Sequence, residues 1–224
     1  RYRYVTGVQT CALPIYLPLA AGGFGHREVV VRVNGSGSPW EAEDLRAVAA
    51  SGADAVLLPK VEDAGHVRGV EAALAAYRAP AGLAIWAMIE TPRGVLRVDE
   101  IAGASPRLAC LVAGTSDLVK NLGARHTPGR AEVLTALSMI VLAARANGLA
   151  CLDGVHLQLD DEAGLEAACA QGRDLGFDGK TLIHPKTIAA ANRAFGPSPA
   201  ELEQARRIMV AHAEAEKIGR ASCR

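Results

Sequence analysis

The chain has 224 residues, of which 50% are hydrophobic and 21% charged, enough for one large domain or two small ones with a sizeable core. Lys plus Arg and Asp plus Glu balance at 24 each, which argues against nucleic acid or an anionic membrane surface as the main partner. No apolar run reaches about 18 residues, so no membrane span is expected, and five cysteines without a CxxC pair suit a reduced, cytoplasmic enzyme better than a disulfide scaffold.

In chain order, residues 1–16 show neither helical nor strand periodicity, and Pro14 and Pro18 break the apolar stretch that would make them a signal peptide. They are expected to be a non-native leader, and residues 217–224 (KIGRASCR) a non-native tail. A partial barrel is expected over 17–196 and the start of a C-terminal helical segment over 197–216.

The β-branched run Glu28–Val33 predicts a first strand. Ser38, Pro39 and Glu41 predict an N-cap, a Pro at the first helical position and a capping-box acid for a helix ending at Gly52. Ala55–Leu58 predicts the second strand, and Val67, Val70, Leu74 and Tyr77 line one face of a helix over 64–78. Leu83–Ile89 and Leu108–Val112 are the third and fourth strands. A longer loop then leads to a helix expected to start with Thr127 as N-cap and Pro128, and to end at Gly148. Leu149–Leu152 is the fifth strand, ending at Asp153; a helix over 161–175 follows, and Leu182–Pro185 closes the sixth strand region. Ser198, Pro199 and Glu201 repeat the capping box at the last helix.

Strands alternating with helices signify βα units and a parallel sheet. Six strands are countable, whereas a (β/α)₈ barrel has eight and typically about 250 residues; a doubly wound open sheet is the alternative. The barrel is preferred because Arg32, Lys60, Glu90, Asp117, Asp153 and Lys180 all fall at or just past strand C-terminal ends, the rim that carries chemistry in barrels. No GxGxxG or GxxxxGK[ST] follows the first strand, so a nucleotide-binding open sheet lacks its fingerprint.

Glu90 and Asp117 each follow an apolar strand, and two carboxylates converging beside open backbone suit a hard cation such as Mg²⁺. Arg32 offers a planar fork for a carboxylate and for developing oxyanion charge, or else an ion pair to a rim acid such as Glu62. Gly114 and Thr115 either let a ligand approach backbone N–H groups or simply form a tight strand-to-helix turn. Thr91 and Pro92 are candidates to shape the same pocket. Lys60 and Lys180 are read as contacts to the phosphates of a ligand, as ion-paired lysines or as solvated ones; a Schiff-base role for Lys60 would make the chemistry metal-free. Asp153 is read as orienting a substrate or capping a turn. His156 and His184 are read as packed histidines, and Cys110, Cys151 and His156 lack zinc-type spacing.

VRVN (Val31 to Asn34), LPKVE (Leu58 to Glu62), MIETPRGV (Met88 to Val95), GTSDL (Gly114 to Leu118), DGVHLQLDDEAGL (Asp153 to Leu165) and GFDGKTLIHP (Gly176 to Pro185) occur in this order. Together, over about Glu28 to Glu216, they resemble the citrate lyase beta-subunit-like branch of the HpcH/HpaI aldolases. The resemblance implies a TIM (β/α)₈ barrel, here incomplete, without the first two strands and a C-terminal segment. It implies Mg²⁺ held by Glu90 and Asp117, and Arg32 on the carboxylate and carbonyl of a 2-oxo acid. It implies a CoA thioester substrate such as citryl-CoA or malyl-CoA and a homotrimer or homohexamer. The family's Met-Ile-Asp segment, whose Asp serves a neighbouring subunit as acid or base, is absent from the sequence. A carbon–carbon lyase is the leading expectation; a thioesterase on the same rim, or a non-catalytic oxo-acid-binding barrel, is the alternative.

Overall fold

The computed structural model describes residues 24–217; the expected leader over 1–16 and the tail beyond residue 217 lie outside the described residues. The strands are β1 (Val30–Arg32), β2 (Ala55–Leu58), β3 (Ala84–Ile89), β4 (Leu108–Ala113), β5 (Ala150–Asp153) and β6 (Gly179–Lys180). They form one parallel sheet in strict sequence order. A doubly wound sheet reverses its strand order at a switch point, and this sheet does not. Sequential parallel strands joined by crossovers of one hand place every helix on one face, which makes the architecture an α/β, TIM-like partial barrel.

The two faces are distinguishable in the packing. Val56, Leu58, Ile85, Ala87, Ile89, Leu111, Ala113 and Cys151 point into the helix layer, where they meet Leu45, Val67, Leu74, Ile101, Leu137 and Ile140. The alternate residues Ala55, Leu57, Trp86, Met88, Cys110, Val112 and Leu152 form a separate cluster on the concave face. A strand apolar on both faces reads as the continuous hydrophobic run seen in the sequence.

The helices are α1 (Glu41–Ser51), α2 (Ala64–Ala76), α3 (Pro92–Leu96), α4 (Val98–Ala102), α5 (Thr115–Leu122), α6 (Leu134–Ala146), α7 (Glu162–Leu175), α8 (Ile188–Phe195) and α9 (Pro199–Lys217). Gly52 stops α1 in the left-handed region, φ 76°, as its position predicts. The capping box opening α9 is present: Ser198 N–H donates to Glu201 Oε2 at 2.7 Å and Glu201 N–H to Ser198 Oγ at 3.2 Å.

Four expectations are corrected. Ser38 does not cap α1, which begins after Trp40; Glu41 instead accepts from Gly37 N–H at 3.0 Å. Thr127 does not cap α6, because both its N–H and its hydroxyl are taken by Glu132, at 3.1 and 2.6 Å, in a turn that delays the helix to Leu134. The sixth strand is Gly179–Lys180 rather than Leu182–Pro185, since His184 Nδ1 accepts from Lys186 N–H and opens a short 3₁₀ turn. The loop expected after β4 holds α5, and α8 follows the 3₁₀ turn.

Candidate metal centre on the strand rim

Glu90 follows Ile89 at the end of β3 and lies on the concave face, in the same alternation as Met88. It is only 5% exposed. Its Oε1 accepts from the Lys60 N–H of the β2 end at 2.9 Å, and its backbone oxygen accepts from Asn121 Nδ2 at 3.2 Å. On the β4 side its carboxylate lies over Gly114: a Cβ built there would be 2.8 Å from Oε2 and 3.2 Å from Met88 Cγ. Gly114 N–H itself donates to Ile89 O at 2.9 Å. The glycine is therefore a space requirement of Glu90, and its own N–H is spent on the sheet.

Asp117 sits in the first turn of α5 and meets Glu90 side chain to side chain. Burial pushes the Glu90 carboxyl up to about 7, and the Asp117 charge adds to the rise, while the Lys60 N–H opposes it. Two acids forced together at low exposure repel unless a proton or a cation lies between them. Among the described residues no group of three or more His, Cys, Asp or Glu side chains is placed to hold a metal. Two carboxylates with room for waters and substrate oxygens are the donor set of Mg²⁺ rather than of zinc. The pair thus fits the expected cation, and the zinc alternative has no cluster.

Arg32 lies on β1 in register with Leu57, itself in register with Trp86, so it belongs to the concave face two strands from Glu90. Its side chain is exposed. Thr115 is 6% exposed and turns away from Glu90 toward Gly154, where its Oγ1 occupies the space of a Cβ. It borders a cleft of about 240 Å³ shared with His126, Arg130 and His156. The structure therefore brings Glu90, Asp117 and Gly114 together, with Thr115 adjacent and Arg32 two strands away on the same face of the sheet.

Thr91 and Pro92 serve α3: Thr91 Oγ1 accepts from Gly94 N–H at 3.1 Å and Pro92 is the first helical residue. Glu62 lies 3.9 Å from Arg93. Asp153 and Lys180 are not open rim residues. Asp153 is 0% exposed and accepts from Lys180 Nζ at 2.8 Å, from Arg130 Nη1 through both oxygens at 2.8 Å, and from Gly154 N–H at 2.7 Å. With Lys180 4% exposed, this buried cluster replaces the phosphate-contact reading of that lysine. Arg130 was not a sequence candidate; it stands in a loop at φ 53°, and nothing in its sequence neighbours signals the conformation.

The sequence matches the family described as HpcH/HpaI aldolase/citrate lyase over residues 15–185. It is 48% identical over 201 residues to a (3S)-malyl-CoA thioesterase of Cereibacter sphaeroides, covering 90% of this chain and 68% of that protein. The chain thus spans about two thirds of the length of that relative. A citrate lyase beta subunit of Mycobacterium tuberculosis, solved with oxaloacetate and magnesium, shares 33% identity and a TM-score of 0.64 over 75% of this chain and 73% of that one. CitE of the same organism, solved with magnesium, acetoacetate and coenzyme A, shares 34% identity and a TM-score of 0.68 over 83% of this chain and 67% of that one. The chain belongs to the HpcH/HpaI aldolase/citrate lyase family, whose citrate lyase beta subunits and malyl-CoA thioesterases are its relatives.

Proposed function

We propose that this rim carries Mg²⁺-dependent cleavage of a 3-hydroxyacyl-CoA of the malyl-CoA or citryl-CoA type into an acyl-CoA and a 2-oxo acid. The observation that carries the reading is the buried Glu90 carboxyl meeting the half-buried Asp117 beside Gly114. Magnesium bound there supplies Lewis-acid polarisation of the oxo-acid oxygens. Glu90 and Asp117 hold the ion; Lys60 N–H and Gly114 set where the Glu90 oxygens point. Arg32 pairs its guanidinium with the substrate carboxylate and stabilises negative charge on the hydroxyl oxygen that becomes the oxo-acid carbonyl as the carbon–carbon bond breaks. First-turn N–H groups of α5, which precede the helix's own hydrogen-bond ladder, face a second carboxylate oxygen.

The edges of the described sheet are β1 and β6. We propose that two further strands close it into an eight-stranded barrel, that the acid–base group comes from a neighbouring subunit of a homotrimer or homohexamer, and that the enzyme is cytoplasmic. A second reading is favoured by the 48% identity to a malyl-CoA thioesterase: water attacks the thioester on the same rim. Malyl-CoA with Mg²⁺ separates the two. Glyoxylate with acetyl-CoA marks carbon–carbon cleavage, malate with free CoA marks hydrolysis, and neither product leaves an oxo-acid-binding barrel.

A further inference from the structure

Lys60 interrupts the β2–β3 ladder. Leu58 pairs with Ala87 in the regular register, and the next backbone bond between the strands runs from Val61 N–H to Met88 O at 3.2 Å. Two residues of the β2 side, Pro59 and Lys60, thus span one step of β3, which is a bulge in the rim. Pro59 has no N–H to offer the ladder. Lys60 takes φ 50°, the left-handed region that non-glycine residues seldom adopt. That turn removes its N–H from the sheet and delivers it to Glu90 Oε1 at 2.9 Å. The segment is clamped from behind as well: Gly94 of α3 lies so close to Val61 O that a Cβ would collide with it. Strained backbone held by its surroundings beside a functional pair has a use to be explained.

We propose that Lys60 is a positioning residue whose left-handed backbone, and not its ammonium group, fixes the Glu90 carboxylate for the cation. The inference rests on the Glu90–Asp117 metal reading and deepens it. With Oε1 tied to the Lys60 N–H and Oε2 over Gly114, the carboxylate has one orientation before any ion arrives. A hydrogen bond to a charged acceptor is worth about 1.5–3 kcal/mol, so removing the donor costs about tenfold or more in affinity at a site that relies on it.

The test uses the full chain with Mg²⁺ alone, titrated by calorimetry, and amide hydrogen exchange on the metal-free protein. Lys60→Gly deletes the ammonium but keeps the N–H and tolerates the conformation, so its Mg²⁺ affinity stays within about twofold of the parent. Replacing Lys60 by its α-hydroxy acid, which turns the Pro59–Lys60 amide into an ester, keeps the side chain and removes only the donor. Its affinity falls about tenfold. In the metal-free parent the Lys60 amide exchanges slowly, and Glu90→Ala, which removes the acceptor, quickens it. An ester variant that binds as the parent does, a Lys60→Gly that weakens as the ester does, or a fast-exchanging Lys60 amide in the parent overturns the positioning role. A parent that binds no Mg²⁺ while its Lys60 amide stays protected overturns the metal reading and leaves the backbone contact standing.

Discussion

Glu90 rests on Gly114 so closely that any side chain at position 114 would collide with the Glu90 Cβ and stand 2.8 Å from Oε2. The backbone of Gly114, φ −96°, is open to any residue, so the requirement is for space alone. Gly114→Ala therefore sets its Cβ in collision with the Glu90 Cβ, which no Glu90 rotamer relieves, so the end of β3 and the start of α5 must move apart and carry Glu90 away from Asp117. We expect a loss of about 1–3 kcal/mol in folding stability, with Mg²⁺ binding lost in calorimetry. An alanine variant that folds and binds Mg²⁺ like the parent would mean that Glu90 is not a ligand in this pose.

The pH dependence follows from the same pair. Burial, then the Asp117 charge, raise the Glu90 carboxyl from 4.5 to about 7. Between those values the folded protein holds a proton that the unfolded chain has released, so metal-free stability falls as pH rises through that window. Mg²⁺ needs the carboxylate ionised and must displace the proton. Its apparent affinity should drop by up to about tenfold per pH unit below about 7, with proton release on binding. Calorimetry at about pH 6 in buffers of different ionisation enthalpy measures that release. Binding without proton uptake by the buffer would separate Glu90 from the ion.

Arg32 shares the concave face with the metal pair but stands two strands away, which suits a contact to the far end of a small acid rather than to the cation. Arg32→Lys should leave Mg²⁺ affinity unchanged and weaken oxo-acid binding about tenfold, because an ammonium cannot form the bidentate fork. Oxaloacetate titrated into the Mg²⁺-loaded proteins reads the difference. Equal affinity would remove Arg32 from the site.

The strands were legible because buried parallel strands are short apolar runs; Glu90 breaks the first run where β3 stops, and Asp117 follows β4 in the first turn of α5. Gly114 was legible as a glycine with a purpose, but the purpose lay in the Glu90 side chain across the strand, beyond any local pattern. The α6 start was missed because Thr127 and Pro128 imitate a cap while Glu132 captures Thr127 for a turn. Lys60 was visible as a rim lysine, whereas its working atom is a backbone nitrogen set by φ. Lys180 and Asp153 looked like rim groups because they end strands; only the packing of α7 and the Arg130 loop encloses them.

That enclosure makes the last prediction. Asp153 neutralises two cations, and the Arg130 guanidinium also donates to Gln171 Oε1 at 2.7 Å and to Ala168 O at 3.3 Å, which ties the loop before α6 to α7 and the end of β5. Asp153→Asn leaves Arg130 and Lys180 facing each other with no counter-charge, and breaking such a buried pair costs about 3–5 kcal/mol. Lys180→Met instead leaves Asp153 paired with Arg130, so its loss should be smaller, and adding it to Asp153→Asn should restore part of the deficit. Denaturant midpoints order the three proteins. None touches Glu90, so Mg²⁺ affinity in Lys180→Met should match the parent. If Lys180→Met kept full stability and lost affinity for a CoA ester, the lysine would be a ligand contact and the buried cluster would not be what holds this rim together.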